Sequence, residues 1–427
     1  MAVAQALLVK ILMLAMNVAT GILSARVLGP TGRAEQTTLM VGLAIFPAVL
    51  SFGLPVALQF RLRKSPETED RVVSTATLLG LGFGMVCIAV GYVALPRVTT
   101  QYSPAILHVA QLFMLGAPFA VLFNVFNGVL EARGRFTEAN FSQYGQLILS
   151  VIILFSLALA HSLTPISSAG TYLGTAVLAT CWLWTVVRPK FIVGGFVETA
   201  RSLMSYGLRT YVTDILGALQ VQIDTILVIS LLNPTSMGLY AVALSAARVS
   251  DLFSGSIVSV LFPKAAALPR SEMIELTHRV GRLTFALIVP AITLNILAMP
   301  YLLPAFYGKA FSGAIPVAQV LTLTFILNGT GYVISQAFLA AGKPGVIAVI
   351  QTSGLVFVVP LLIWLIPRFG LLGAAWALVL ATFLRGAITM VCFPIVLKAP
   401  IPSLLLTVND FRFVKESLTR RLSAHST

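Results

Sequence analysis

Six charged side chains lie inside long apolar runs of this sequence: Arg209, Arg248 and Arg385, and Asp214, Asp224 and Asp251. A charge at the centre of a membrane helix costs about 2.5–3.5 kcal/mol on insertion scales, so those that persist face a bundle interior or a wet cavity. A guanidinium there suits phosphate oxygens, and a carboxylate there suits a proton or small cation. At about 1.5 Å per residue, Arg248 stands about 17 Å and Arg385 about 21 Å along their runs, near mid-membrane. Arg209 is closer to the end of its run and is equally able to snorkel to the interface. Arg248 and Asp251, three apart on one helix, are as able to neutralise each other as to meet a ligand. Three arginines against three aspartates cancel, so the residue types alone do not make an anion-selective cavity.

Helical phase groups further polar residues. At 100° per residue, Thr213, Gln220 and Asp224 fall within about 60° of Arg209, one polar stripe on an apolar helix. Near the N-terminus Lys10, Asn17, Gly21 and Ser24 fall within about 40° of Lys10, a second stripe. The two outline a translocation path.

Catalytic signatures are missing. No HExxH or GxSxG run occurs, and Gly342-Lys343 lacks the earlier glycine and following Ser/Thr of a phosphate loop. The four histidines are isolated, and Cys87, Cys181 and Cys392 are too far apart for a disulfide framework or metal site. Neither an enzyme nor a metal or cofactor is expected.

The elements that position these residues follow from composition. Hydrophobic residues make 58% of the 427 and charged residues 10%, with mean hydropathy +0.96. Ordinary globular chains carry about 25% charge, so a soluble enzyme is excluded. The net charge of +14 falls in short basic clusters between apolar runs, which indicates membrane topogenesis and not nucleic acid. With about 20 residues needed to cross a bilayer, twelve spans are predicted, at 4–26, 37–60, 72–95, 105–130, 140–161, 167–187, 203–232, 237–263, 280–303, 313–339, 346–366 and 371–397. The first reads as an uncleaved transmembrane helix, since it has no basic lead and carries Lys10 inside its apolar run. The Lys/Arg census puts 20 on the side of both termini and 5 on the other, so both termini are expected in the cytoplasm.

An offset of six spans recurs. Leu28-Gly29-Pro30-Thr31 matches Leu232-Asn233-Pro234-Thr235, and Ala132-Arg133-Gly134-Arg135 matches Ala340-Ala341-Gly342-Lys343. The expected architecture is therefore an all-α integral membrane protein of twelve transmembrane helices, in two six-helix lobes (1–200 and 201–397) around a central cleft. Residues 398–427 form a basic cytoplasmic tail, in which Phe411, Val414, Leu418 and Leu422 recur at helical spacing. That pattern fits an amphipathic surface helix or a solubilising tail equally. Gly80/Gly84 and Gly170/Gly174 predict close helix contacts.

Several segments, in this order and spacing, carry a resemblance. They are Ala25-Arg26-Val27-Leu28-Gly29-Pro30 with Gly32-Arg33, Gln222-Ile223-Asp224-Thr225, the run from Met237 to Ala243, Leu261-Phe262-Pro263-Lys264, Ala341-Gly342-Lys343, and the run from Gly370 to Ala375. Together they resemble the polysaccharide transporter and O-antigen flippase family of the multidrug/oligosaccharidyl-lipid/polysaccharide exporter superfamily, with Ala34 where that family has a second glycine. The resemblance implies a flippase of the bacterial cytoplasmic membrane that translocates a polyprenyl-pyrophosphate-linked oligosaccharide by alternating access. Arg209, Arg248 and Arg385 would meet the pyrophosphate, while Asn17, Gln220 and Thr213, with Lys10 on the first stripe, would line the sugar path. Asp224 or Asp214 would bind a coupling proton or sodium, or else pair with an arginine. Implied partners are membrane lipids, the lipid-linked glycan, and the glycan polymerase and chain-length machinery. The main rival is a cation-coupled multidrug antiporter of the same fold. A glycan polymerase would need a sizeable external catalytic loop, where the expected external loops here are short, and a scaffold would tolerate loss of all six buried charges.

Overall fold

The computed structural model describes residues 2–192, 194–248, 268–407 and 410. Among these the chain is all helix and connection, with no strand. In chain order the helices are α1 (Ala2–Leu50), α2 (Leu54–Lys64), α3 (Glu69–Val98), α4 (Pro104–Phe113), α5 (Ala117–Ala132), α6 (Phe136–Leu159), α7 (Pro165–Val187), α8 (Phe196–Leu231), α9 (Pro234–Arg248), α10 (Arg270–Tyr307), α11 (Ile315–Ala340) and α12 (Pro344–Val396). Among the described residues seven stretches are long and apolar enough to cross a membrane, or eight if the bent pair Ala15–Leu50 and Leu54–Lys64 is one span.

One helix, α12, holds two of the expected spans, and α1 holds the first and the larger part of the second. A straight 53-residue α12 would reach about 80 Å, more than twice a bilayer's hydrocarbon. It turns instead at Gly370, whose φ of 58° only glycine adopts without strain. In α1 the turn is at Gly29, φ 68°, and a third break at Phe52 and Gly53, both with positive φ, separates α2. Pro269 directly precedes α10, whose N-terminal turns continue into the span without a loop.

The chain divides into two compact units. The first comprises Met1–Ser245, Leu303–Ala314 and Ile366–Leu371, and the second Ala246–Leu302, Ile315–Leu365 and Leu372–Thr427. In the first, α3 packs along α5 and α8, and α7 along α5 and α6. Gly84 is the close approach: a Cβ there would stand 2.3 Å from Pro118 Cα, a backbone atom of α5 that cannot swing aside. Gly84→Ala should therefore cost about 1–3 kcal/mol through overpacking, seen as a lowered Tm in detergent. Gly170 and Gly174 are a correction to the sequence expectation. The nearest group to a Cβ at Gly170 is the Phe113 ring at 4.0 Å, and Gly174 faces open space, so this pair holds no helix close.

The repeated motifs have the same local geometry. After α5, Gly134 (φ 72°) ends the helix with Arg135 N bonded to Leu130 O and Gly134 N to Glu131 O. After α11, Gly342 (φ 70°) does the same, with Lys343 N on Phe338 O and Gly342 N on Leu339 O. Each is a left-handed glycine cap, and each basic residue nearby grips a later helix end: Arg133 Nη1 donates to Val187 O, and Lys343 Nζ to Val396 O. The other repeated pair meets within the first unit. The Thr31 and Thr235 hydroxyls are 3.3 Å apart, and a Cβ on Gly238 would overlap Pro30 O at 1.8 Å.

In the second unit Met273, Val333, Ile334, Phe338 and Phe393 are fully packed, and Leu276 and Val280 of α10 lean on them. This is the apolar stripe that starts α10. Asp410 is wholly buried against the same helix. The helical pattern at residues 411–422 lies outside the described residues.

Candidate functional site

The predicted stripe on α8 runs from surface to interior. Arg209 is exposed, Gln220 half-buried and Asp224 only 4% exposed. Asp224 accepts a 2.6 Å hydrogen bond from the hydroxyl of Tyr240 on α9, itself completely buried. The carboxylate is thus part of a helix contact inside the first unit. Thr213, Asp214 and Lys10 have side chains outside the described residues. Asn17 is exposed on α1, and its amide donates to Met13 O, one turn back.

Arg385, on α12, is half-buried, and its Nη2 donates to the side-chain oxygen of Asn328 on α11. Among the described residues no carboxylate pairs with it. Its charge is therefore held by a neutral dipole. Arg248 is exposed at the end of α9; Asp251, its candidate neutraliser, lies outside the described residues.

Two of the basic residues that the census counts on the side away from the termini, Arg26 and Arg33, are tied into helices. Arg33 Nη1 donates to Ser24 Oγ at 2.9 Å and to Gln36 Oε1 at 2.6 Å. Arg26 Nε donates to Phe306 O at 2.6 Å and its Nη2 to Ala305 O, a cation on the last carbonyls of α10, where the helix dipole favours it.

Sequence reasoning missed one further site, a cleft of about 200 Å³ between α2 and α8, lined by Ala57, Phe60, Arg61, Ser202, Ser205, Tyr206 and Arg209 among others. The Phe60 and Tyr206 rings are parallel, with centroids 4.1 Å apart, and Lys64 Nζ stands 5.9 Å from the Phe60 ring centre. Arg61 Nε is shielded from water and has no hydrogen-bond partner among the described residues. The only sequence signal was Arg209; its companions come from a segment about 140 residues earlier and look there like ordinary interface residues.

Helices long and apolar enough to cross a bilayer, with the half-buried Arg385 paired to no carboxylate among the described residues, define an all-α multi-pass membrane transporter fold. The chain belongs to the polysaccharide biosynthesis protein family, whose profile matches residues 24–316. It is 21% identical to a putative O-antigen transporter of Shigella flexneri over 369 residues, covering 82% of this chain and 87% of that one. A probable low-salt glycan biosynthesis flippase of Haloferax volcanii is 24% identical over 188 residues, 43% of this chain and 40% of its own length. Among solved structures, the lipid II flippase MurJ in an inward closed conformation superposes with a TM-score of 0.74 at 16% identity, over 94% of this chain and 88% of that one. An inward-facing multidrug resistance MATE family transporter gives 0.71 at 15% identity, over 89% and 93%. These two likenesses establish the fold alone.

Proposed function

We propose that the protein is a flippase that carries a polyprenyl-pyrophosphate-linked oligosaccharide across the cytoplasmic membrane by alternating access. The observation that carries the reading is Arg385, a mid-span guanidinium held by Asn328 and not by an acid, in a chain whose relatives are named an O-antigen transporter and a glycan flippase. A flippase need only replace the solvation of sugar and diphosphate, whose exposure to hydrocarbon is prohibitive. The lipid tail stays in the bilayer. Arg209, Arg248 and Arg385 take the diphosphate, and Asn17, Gln220, Thr213 and Lys10 line the sugar path.

Two lobes, 1–200 and 201–397, part around a central cleft in this reading. The matching glycine caps after α5 and α11 support the repeat, and so does the contact of Thr31 with Thr235. Repeat-related residues touch when they lie close to the axis relating them. Both termini are cytoplasmic, and proton or sodium coupling falls to Asp214 or Asp224. A glycan polymerase and chain-length machinery receive the product. The multidrug antiporter of like fold is disfavoured because the curated relatives are named an O-antigen transporter and a glycan flippase.

The test is made in proteoliposomes carrying a lipid-linked oligosaccharide, read by lectin access to the sugar. Protein-dependent movement is expected. No movement with several lipid-linked sugars, together with ion-driven uptake of a cationic dye, would replace the reading with the antiporter.

A further inference from the structure

We propose that the cleft between α2 and α8 binds the phosphate or diphosphate group of a lipid, and loads the substrate at the basic end of the first unit. The loading role rests on the flippase reading; the anion site does not.

The contrast with neighbouring cations carries the inference. At this end of the unit Arg133 pairs with Glu69 at 2.6 Å, Lys190 with Asp70 at 2.6 Å and Arg135 with Glu138 at 2.8 Å. Arg61 and Arg209 share a cleft whose lining, among the described residues, holds no acid. Placing two guanidinium groups on one small cavity is unfavourable unless an anion joins them. Arg61 Nε, out of water and without an acceptor, is an orphan charged donor that an incoming oxyanion would satisfy. Ser202 and Ser205 add hydroxyl donors on the same lining, and Lys64 lies within 5.9 Å of the Phe60 ring beside it.

Size and shape select the ligand. About 200 Å³ is below the roughly 300–1,000 Å³ of sites for drug-sized ligands, so the cleft fits a small anionic head and excludes an oligosaccharide. Phe60 and Tyr206 are already stacked on each other at 4.1 Å, which leaves no slot between them for a nucleobase or sugar ring. Phe60 is 42% exposed, and Ser205 and Arg209 are exposed, so the cleft is open to a group arriving along the surface of the helices. Its floor, Ala57 and Leu203, is buried and apolar, which strengthens a charge-assisted hydrogen bond made above it.

The test uses the full chain in phosphatidylcholine nanodiscs, with polyprenyl diphosphate in the bilayer or inorganic pyrophosphate in solution, and Tm against ligand concentration as the readout. The native protein should gain Tm with the lipid. In Arg61→Gln and in Arg209→Gln the apparent Kd should weaken about tenfold or more, the equivalent of losing one charged hydrogen bond. Arg97→Gln, at an exposed position bonded to Val93 O, controls for net charge and should not change it. Displacement of the lipid by inorganic pyrophosphate would identify the diphosphate itself as the recognised group. Response to inorganic pyrophosphate with none to the lipid would assign the site to a soluble anion and reject the loading role. Unchanged lipid affinity in both variants, each as stable as the native protein without ligand, would overturn the proposal. Flipping by the native protein in that last case would leave the flippase reading standing. An Arg61-dependent lipid response without any flipping would leave only the anion site.

Discussion

Arg385→Leu is expected to leave the protein about as stable as the native chain, while translocation of a lipid-linked oligosaccharide falls by about tenfold or more. Two magnitudes decide the stability side. Keeping a guanidinium at the centre of a membrane helix costs about 2.5–3.5 kcal/mol, and leucine removes that cost. The substitution abandons Asn328, a neutral acceptor whose loss of a partner costs about 1–3 kcal/mol. The two nearly cancel. Had a carboxylate held Arg385, the same change would have stranded a buried charge at about 3–5 kcal/mol. The transport side follows because phosphate oxygens crossing mid-membrane lose a charged, two-donor partner. Arg385→Lys keeps the charge without the planar fork and should fall between. Thermal unfolding and the lectin assay on the same preparation separate the effects. A large loss of Tm in Arg385→Leu with flipping retained would make this arginine structural.

How much of this was readable in advance depends on the distance over which residues cooperate. Span positions are local, since an apolar run buries its backbone in its own helix, and the described helices fall on the expected runs, except that 37–60 is broken at Phe52 and Gly53 and 249–263 lies outside the described residues. The glycine caps at Gly134 and Gly342 were legible for the same reason: a helix end followed by glycine and a basic residue closes by local bonds. The breaks at Gly29 and Gly370 were legible too, since both glycines fall between expected spans and bend the chain there with positive φ. The break at Phe52 and Gly53 was not, since it falls inside the expected span 37–60, and Gly170 and Gly174, expected to be packing contacts, are not. The bonds of Arg26 and Arg33 were not legible because their acceptors are backbone carbonyls and neutral side chains, which leave no charge pattern. The α2–α8 cleft was illegible because Arg61 and Arg209 come together only by tertiary packing.

Asp410 gives the largest stability prediction, from a segment whose basic composition pointed outward to solvent or lipid. Its carboxylate is completely buried and takes both Arg282 donors at 2.7 Å, and Thr407 adds its backbone N–H at 2.8 Å and its hydroxyl at 2.7 Å. Arg279 Nε stands 3.8 Å away. Arg282 belongs to α10, so this pair pins the chain beyond α12 onto the start of α10, beside Arg270, whose Nη2 donates to Leu397 O. With Arg282 only 13% exposed, Asp410→Asn leaves a largely buried cation without its partner and should cost about 3–5 kcal/mol. The pH dependence has a definite sign. The double hydrogen bond from Arg282, helped by Thr407 against the opposing effect of burial, holds the Asp410 carboxyl well below the usual carboxylate range. A folded value below the unfolded one, about 3.9, means the unfolded chain binds the proton first. The stabilisation is therefore complete above about pH 5 and is lost as pH falls through the folded value. The Tm gap between native protein and Asp410→Asn should be constant from neutral pH down to that point and narrow only in stronger acid. A gap that instead closed on going from neutral to alkaline pH would mean that the pair does not hold this segment.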